Sequence, residues 1–334
     1  MRAPEFWDEP GGLASGLLAP LGAVWSGVGA LRRAVSRPYL APVPGICVGN
    51  LVAGGSGKTP LVLSLVDSIA RSGVGVHVLT RGYGGRLTGP VRVDPGRHDA
   101  VAVGDEALLL ARSGPCWVAR DRAAGCRAAA AAGSRIIVLD DGFQNPGIAK
   151  DLSFLVIDAE YGFGNGRVIP AGPLREPVGA GLARADTVVL IGDGEPPKGV
   201  REAGRPILHA AFEPVDATGW RGIRVAAFAG IGRPAKFFAS LRDAGAEIIA
   251  ARPFPDHHRF SAAEIAELRR AAERADARLV TTAKDWVRLP TSVRGGIAAF
   301  EVQLRWRDPA ALSELLAPVL QSAVNSPDLA GKDW

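Results

Sequence analysis

The chain has 334 residues, of which 47% are hydrophobic and 22% charged, and its formal net charge is +5. This length allows two domains or one large domain with a full core, and the composition excludes a chain that is disordered over a long stretch. The three cysteines, Cys47, Cys116 and Cys126, are odd in number and lack metal-binding spacing, which argues against a disulfide framework or a zinc site and favours a reducing cytoplasm.

The N-terminal segment is apolar and then basic. Residues 10–31 contain no charged side chain, and three arginines follow at positions 32, 33 and 37. Apolar residues recur there at helical spacing: Leu13, Leu17, Leu18, Leu21, Val24, Trp25, Val28 and Leu31. Acidic residues precede the run, which argues against a secretory signal. Pro20 and several glycines favour an amphipathic helix in the membrane interface, with a helix packed on the protein or a spanning helix as alternatives.

Residues 49–60, with the sequence GNLVAGGSGKTP, lie between two apolar runs. This context predicts a strand, a glycine-rich loop and a helix that together bind the phosphates of a nucleotide. The loop would be formed by Gly54, Gly55, Ser56 and Gly57. Lys58 would neutralise the β- and γ-phosphates, and Thr59 would bind Mg²⁺. The sequence departs from the usual pattern at Val52, which replaces a glycine, and at Ala53, where related loops often carry a lysine.

Strands alternate with helices along the rest of the chain, which predicts an α/β fold with a mainly parallel sheet flanked by helices. We expect strands at 45–48, 76–79, 117–119, 136–139, 152–157, 187–191, 224–229, 247–250 and 277–282. We expect helices at 59–71, 105–113, 120–132, 235–244 and 262–274. The predicted divisions are an N-terminal helix (1–37), a phosphate-loop core (38–204), a smaller α/β lobe (205–320) and a fraying tail (321–334).

Residues 136–139 are four apolar residues that end at Asp140 and Asp141. Such a strand places a carboxylate at its carboxyl end beside the phosphate loop, where it can bind Mg²⁺ or its water shell. An ordinary turn is the alternative, since Asp-Gly is common at strand ends.

Two further clusters of ionisable residues are candidates for catalysis. Asp105 and Glu106 begin a helix, where they could be an N-cap or could supply the base that takes a hydroxyl proton. Asp256, His257 and His258 lie in a turn after Pro255, where His257 could assist the base or contact phosphate.

Two loops present arginines at predicted strand ends, where ligands bind in open α/β sheets. Residues 80–83 present Arg81 and Tyr83, and residues 170–177 present Arg175 and Glu176. A purely structural role is the alternative for both loops.

Taken together, these residues resemble the tetraacyldisaccharide 4′-kinase family of lipid A biosynthesis. The resemblance rests on segments in the same order along the chain: 2–7, 49–51, 80–84, 104–106, 140–144 (DDGFQ), 170–176 (PAGPLRE), 256–257 and 281–285 (TTAKD). It implies a phosphate-loop kinase fold with the smaller C-terminal lobe and the N-terminal amphipathic helix.

The resemblance also implies an activity: transfer of the γ-phosphate of ATP, with Mg²⁺, to the 4′-hydroxyl of a tetraacyldisaccharide 1-phosphate. It places the enzyme at the cytoplasmic face of the bacterial inner membrane, peripherally or monotopically. We expect no nucleic-acid partner, and no obligate protein partner is evident from the sequence. The resemblance implies that Asp105 is the base, paired with His257. If Asp105 is not the base, Asp141 is the next candidate.

Other roles are implied less specifically. Residues expected near nucleotide, metal or substrate are Glu106, Gln144, Arg81, Arg122, Arg175 and Glu176. Asn145 and Ala283 depart from the family pattern, and the role of Lys284 stays open. A partitioning-type ATPase that acts on protein partners is the main rival interpretation. A membrane scaffold with a decayed phosphate loop is a further one.

Overall fold

A computed structural model of the chain describes residues 4–9 and 11–326. The opening Arg2-Ala3 and most of the tail, residues 327–334, lie outside the described residues. Two sheets organise the described part, one of nine strands and one of four.

The strands of the larger sheet are β1 (Gly45–Gly49), β2 (Val76–Thr80), β3 (Val91–Arg92), β4 (Cys116–Val118), β5 (Ile136–Asp140), β6 (Leu152–Asp158), β7 (Thr187–Ile191), β8 (Ile207–Pro214) and β13 (Val302–Trp306). The smaller sheet contains β9 (Arg224–Ala229), β10 (Glu247–Pro253), β11 (Arg278–Thr282) and β12 (Ala298–Phe300). The helices are α1 (Leu13–Val35), α2 (Lys58–Arg71), α3 (Ala100–Val103), α4 (Asp105–Leu110), α5 (Arg122–Ala131), α6 (Val178–Leu182), α7 (Pro234–Asp243), α8 (Ala262–Arg274), α9 (Ala283–Arg288) and α10 (Pro309–Asn325).

The larger sheet has the order β13-β8-β7-β6-β1-β5-β2-β4-β3, and only β3 and β13 pair antiparallel among its described strands. Every residue of β1, β2, β5, β6 and β7 is buried. Continuous apolar strands of this kind need helices on both faces. The α/β architecture predicted from the sequence is confirmed, and the loops after β1, β5 and β2 meet at one edge.

The smaller sheet, in the order β10-β9-β11-β12, is parallel throughout its described pairs. Its two faces carry separate apolar cores, one around Phe237 and one around Phe228. Helix α8 has the bounds predicted from the sequence because Ser261 and Glu264 form a capping box at its start.

The chain returns to the larger sheet after the smaller one, which differs from the predicted boundaries of the smaller lobe. Strand β8 pairs with β7 in parallel, so residues 207–214 belong to the larger sheet rather than beginning the smaller lobe. Strand β13 pairs with β8, and α10 packs Leu312 and Leu316 into the core of the larger sheet. The smaller sheet therefore lies between β8 and β13 as an insertion.

Helix α1 has two different faces. Its large apolar side chains point outward: Leu13, Leu17, Leu21, Val24, Val28, Leu31 and Val35 are all more than half exposed. Its other face contacts the protein through Ser15 and Gly22, which are buried. The expected amphipathic helix is present, with its small-residue face against the body of the protein.

Candidate active site

One large cleft, with a volume of about 1610 Å³, runs between the edge of the larger sheet and the smaller sheet. The phosphate loop, residues 53–59, lines one side, and residues 231–240 and 256–260 of the smaller lobe line the other. Sites for single small ligands usually enclose about 300–1,000 Å³. The cleft is therefore large enough for a nucleotide and a second substrate together.

The phosphate loop leads directly into α2, as predicted. Gly54 and Gly57 have φ angles of 126° and 91°, which residues other than glycine rarely adopt. Lys58 begins α2, and its Nζ donates to Asn50 Oδ1 at 3.1 Å and lies 3.8 Å from Asp141 Oδ1. A helix N-terminus next to a lysine is suited to bind phosphate.

Asp140 and Asp141 point to different neighbours at the end of β5. Asp140 is buried and accepts a hydrogen bond from Thr80 Oγ1 at 3.0 Å. Asp141 has a φ of 51° and accepts a hydrogen bond from Arg175 Nη1 at 2.8 Å. Burial, with Glu106 and Asp141 nearby, raises the pKa of Asp140. A bound cation would relieve this crowding of negative charge.

Asp105 lines the same cleft as Asp141, at the start of α4, and is almost completely buried. Arg288 Nε donates to its Oδ2 at 2.5 Å, and His257 Nδ1 lies 3.3 Å from the same oxygen. Burial raises the pKa of Asp105, but the His257 hydrogen bond and the charges of Lys284 and Arg288 outweigh burial and hold that pKa well below its usual range. Asp105 is therefore an ionised acceptor at physiological pH.

His257 reaches this cluster from a turn of the smaller lobe. Its backbone has a φ of 59°, and its half-exposed ring packs edge-on against Tyr83, with 5.9 Å between ring centroids. Its Nε2 lies 3.8 Å from Asp256 Oδ2. The turn therefore places one imidazole at the mouth of the cleft, within reach of the carboxylate of Asp105.

The remaining candidate residues divide into exposed and buried groups. Arg81 is exposed, and Arg175 lines the cleft. Arg122 is buried and donates to the carbonyl oxygen of Asp140 at 3.2 Å. Glu176 is buried beside Arg184, at 2.8 Å, and Gln144 donates to the carbonyl oxygen of Asn50 at 2.8 Å. Arg122 and Glu176 thus contact other protein groups rather than open space.

Three residues of the site had no role assigned from the sequence. Arg288 forms an ion pair with Asp105. Asn50 accepts a hydrogen bond from Lys58, and Lys284 Nζ lies 3.0 Å from Glu106 Oε1. Lys284 and Arg288 flank Asp285 on α9, so the TTAKD segment was the available signal. The residues that Lys284 and Arg288 contact, Glu106 and Asp105, lie more than 170 residues away along the chain.

The residues around the phosphate loop suit a hydrated Mg²⁺ ion rather than a metal held by protein alone. Within residues 4–9 and 11–326, no three His, Cys, Asp or Glu side chains converge closely enough to hold a metal ion by themselves. Mg²⁺ usually takes one or two carboxylates, several waters and substrate phosphates. Burial, together with the nearby charges of Glu106 and Asp141, raises the pKa of Asp140, and a bound cation would favour its ionised form.

Comparisons with known proteins find a matching family, close relatives in sequence and a related crystal structure. The model of the tetraacyldisaccharide-1-P 4′-kinase family matches residues 14–321. A tetraacyldisaccharide 4′-kinase of Rhodospirillum centenum is 55% identical, over 96% of this chain and 97% of its own length. One from Dinoroseobacter shibae is 51% identical, over 97% of this chain and 99% of its own length. A crystal structure of apo-form LpxK from Aquifex aeolicus in complex with ATP aligns with a TM-score of 0.73 and 25% identity, covering 92% of this chain and 100% of that chain.

Proposed function

The chain belongs to the tetraacyldisaccharide-1-P 4′-kinase family and is an ATP-dependent kinase of lipid A biosynthesis, and we propose that the cleft between its two sheets is the site of phosphoryl transfer. The reaction moves the γ-phosphate of ATP to the 4′-hydroxyl of a tetraacyldisaccharide 1-phosphate. The observation that carries the proposal is the position of Lys58 and Asp105 on the walls of one cleft.

The donor end of the site is the phosphate loop. We infer that Gly54, Gly55, Ser56 and Gly57 surround the phosphates of ATP, with Lys58 against the β- and γ-phosphates. Charge that develops on the transferred phosphoryl group would be stabilised by Lys58 and by the backbone N–H groups at the start of α2. Gln144 contacts Asn50, which itself accepts from Lys58, and so supports the loop from behind.

The acceptor end is Asp105. Its ionised carboxylate would accept a hydrogen bond from the sugar hydroxyl and take the proton as the phosphoryl group is transferred. A low pKa is compatible with this role because the transition state of phosphoryl transfer is loose, and positioning of the nucleophile contributes most. His257, beside the same oxygen at the cleft mouth, would assist by receiving or relaying the proton.

Mg²⁺ would be held by Thr59, Asp140 and Asp141, with Glu106 acting through water. The ion supplies charge neutralisation between the phosphate oxygens when it is bound. Arg175 ties down Asp141, while Arg122 donates to the carbonyl oxygen at the strand end that presents both aspartates. We infer that Arg81, which is exposed, contacts the phosphate of the acceptor.

We propose that α1 associates with the cytoplasmic face of the inner membrane, where ATP and the lipid acceptor meet. This helix is long and apolar enough to span a bilayer, but length and composition alone are weak support for spanning. A spanning helix would have to give up the contacts of Ser15 and Gly22 with the protein. An interfacial position keeps those contacts, buries the outward leucines and valines, and leaves the following arginines near anionic headgroups.

The proposal is tested by incubating the protein with γ-labelled ATP and a tetraacyldisaccharide 1-phosphate in neutral detergent micelles, with Mg²⁺ and with EDTA. We expect Mg²⁺-dependent labelled lipid from the natural chain and none from Lys58→Ala. ATP hydrolysis without labelled lipid would instead support an ATPase that acts on another partner.

A further inference from the structure

Helix α1 rests on a segment that also borders the active site. We call residues 165–177 the bridging loop. Ser15 Oγ donates to the carbonyl oxygen of Ala171 at 2.7 Å, and Trp25 Nε1 donates to that of Arg175 at 3.1 Å. A methyl group added at Gly22 would lie 2.8 Å from the carbonyl oxygen of Val168. The helix backbone thus packs so closely on the bridging loop that only glycine fits at position 22.

The other side of the bridging loop holds the entry to the phosphate loop. The N–H of Ala53 donates to the carbonyl oxygen of Pro173 at 2.8 Å, and the N–H of Arg175 donates to that of Leu51 at 2.7 Å. The two ends of Arg175 therefore serve different partners. Its backbone carbonyl accepts a hydrogen bond from Trp25 of α1, while its guanidinium donates a hydrogen bond to Asp141.

A second connection runs through side chains. Arg33, in the last turn of α1, places Nη1 3.4 Å from Glu176 Oε2. That oxygen is buried and accepts no hydrogen bond from any described residue, so the charge of Arg33 compensates its burial. Gln144 Nε2 contacts Glu176 Oε1 at 3.2 Å, and Gln144 Oε1 lies 3.3 Å from Arg175 Nη1.

From these contacts we propose that α1 is a positioning element of the kinase site as well as its membrane anchor, with Trp25 and Arg33 as positioning residues. By packing on the bridging loop, α1 keeps Arg175 in contact with Asp141 and keeps the entry of the phosphate loop in position. Because the outward face of α1 is free for a lipid surface, membrane binding and an ordered site support each other. This inference rests on the proposed function.

Neighbouring arginines provide a matched control. Arg32 is exposed, and its side chain forms no hydrogen bond or ion pair within the described part of the chain, whereas Arg33 is partly buried against Glu176. Arg32→Ala and Arg33→Ala remove the same charge from the same end of α1. A role in headgroup attraction alone predicts equal effects for the two variants, and positioning predicts unequal ones.

The experiment compares these variants in three assays: binding to vesicles that contain anionic phospholipid, kinetics in neutral micelles, and hydrogen exchange. We expect similar vesicle affinities. We expect kcat of Arg33→Ala to be five- to tenfold below that of Arg32→Ala, with little change in KM for the lipid, and partial recovery in Arg33→Lys. The amide hydrogens of Ala53 and Arg175 should exchange faster in Arg33→Ala than in Arg32→Ala.

Two further variants, Gly22→Ala and Trp25→Phe, disturb the contact between α1 and the bridging loop without changing charge. Both should also speed hydrogen exchange at Ala53 and Arg175. Equal kcat values and unchanged exchange in all variants would overturn the inference. If the natural chain makes no phosphorylated lipid, the proposed function fails separately, and exchange at these two amides still decides whether α1 orders the bridging loop.

Discussion

Arg288 donates from Nε to Asp105 at 2.5 Å and from Nη1 to Asp285 at 2.7 Å, so one buried guanidinium joins two carboxylates from different lobes. It also donates to the carbonyl oxygen of Gly230 at 2.7 Å. Asp105 begins α4 of the larger lobe, and Asp285 lies on α9 of the smaller one. This arrangement both fixes the proposed base and joins the two lobes at the wall of the cleft.

The first prediction concerns stability. Arg288→Leu should lower the free energy of unfolding by about 3–5 kcal/mol, because it leaves two buried carboxylates without their shared cation. Urea denaturation measures this change. The control is Arg274→Leu, at an exposed position at the end of α8, which should change stability by less than about 0.5 kcal/mol. Equal effects of the two substitutions would show that the buried pair contributes nothing specific.

A second prediction uses the crowded carboxylates. Burial, Glu106 and Asp141 raise the pKa of Asp140 to about 7, above its value in the unfolded chain. The folded state therefore holds a proton there that the unfolded state releases, and stability falls as pH rises from about 4 to about 7. In EDTA, Asp140→Asn should raise stability at pH 8 by on the order of 1–3 kcal/mol and by clearly less at pH 5, where only the first part of that fall has occurred.

Thermal unfolding of both proteins at the two pH values tests this prediction. The same substitution should abolish kinase activity, since the carboxylate is expected to serve Mg²⁺. A stability gain of equal size at pH 5 and pH 8 would mean that the charge of Asp140 is not its cause.

Much of the site could be predicted from the sequence because its parts are local. The phosphate loop and the paired aspartates after β5 are contiguous segments with recognisable flanking strands. The Arg288–Asp105 contact could not be predicted, since it joins residues 183 positions apart. Strand β13 was missed for a related reason: it pairs with β8 across about 90 residues of sequence, which contain the whole smaller sheet. The docked face of α1 carries small residues, whose partners no periodicity reveals.

A third prediction concerns the metal. Thr59→Val keeps the shape of the side chain but removes the hydroxyl that is expected to bind Mg²⁺. The Mg²⁺ concentration needed for half-maximal activity should rise about tenfold, which corresponds to the loss of one ligand worth about 1.4 kcal/mol. Thr291→Val, at an exposed position, is the control and should leave the Mg²⁺ dependence as it is. An unchanged requirement in Thr59→Val would remove Thr59 from the proposed metal site.

A fourth prediction separates membrane binding from folding. Leu17 and Val28 are exposed on the outward face of α1, at 81% and 62%. Replacing both with Asp should reduce binding to anionic vesicles at least tenfold, because each charge would have to enter the interface. Val215→Asp with Ile249→Asp, at exposed apolar positions elsewhere, is the matched control. Flotation with vesicles measures both, and equal binding by the two double variants would contradict an anchoring role for α1.

The most direct test of the central claim, that Asp105 positions and deprotonates the acceptor hydroxyl, is the single-turnover rate of phosphoryl transfer in Asp105→Asn, measured beside the affinity of the same protein for Mg²⁺ and ATP. Substitution of a general base typically costs about 10²–10⁴ in rate. We predict a loss of that size with nucleotide affinity within about threefold of the natural chain. A transfer rate within about threefold of the natural chain would contradict the account and move the search for the base to Asp141.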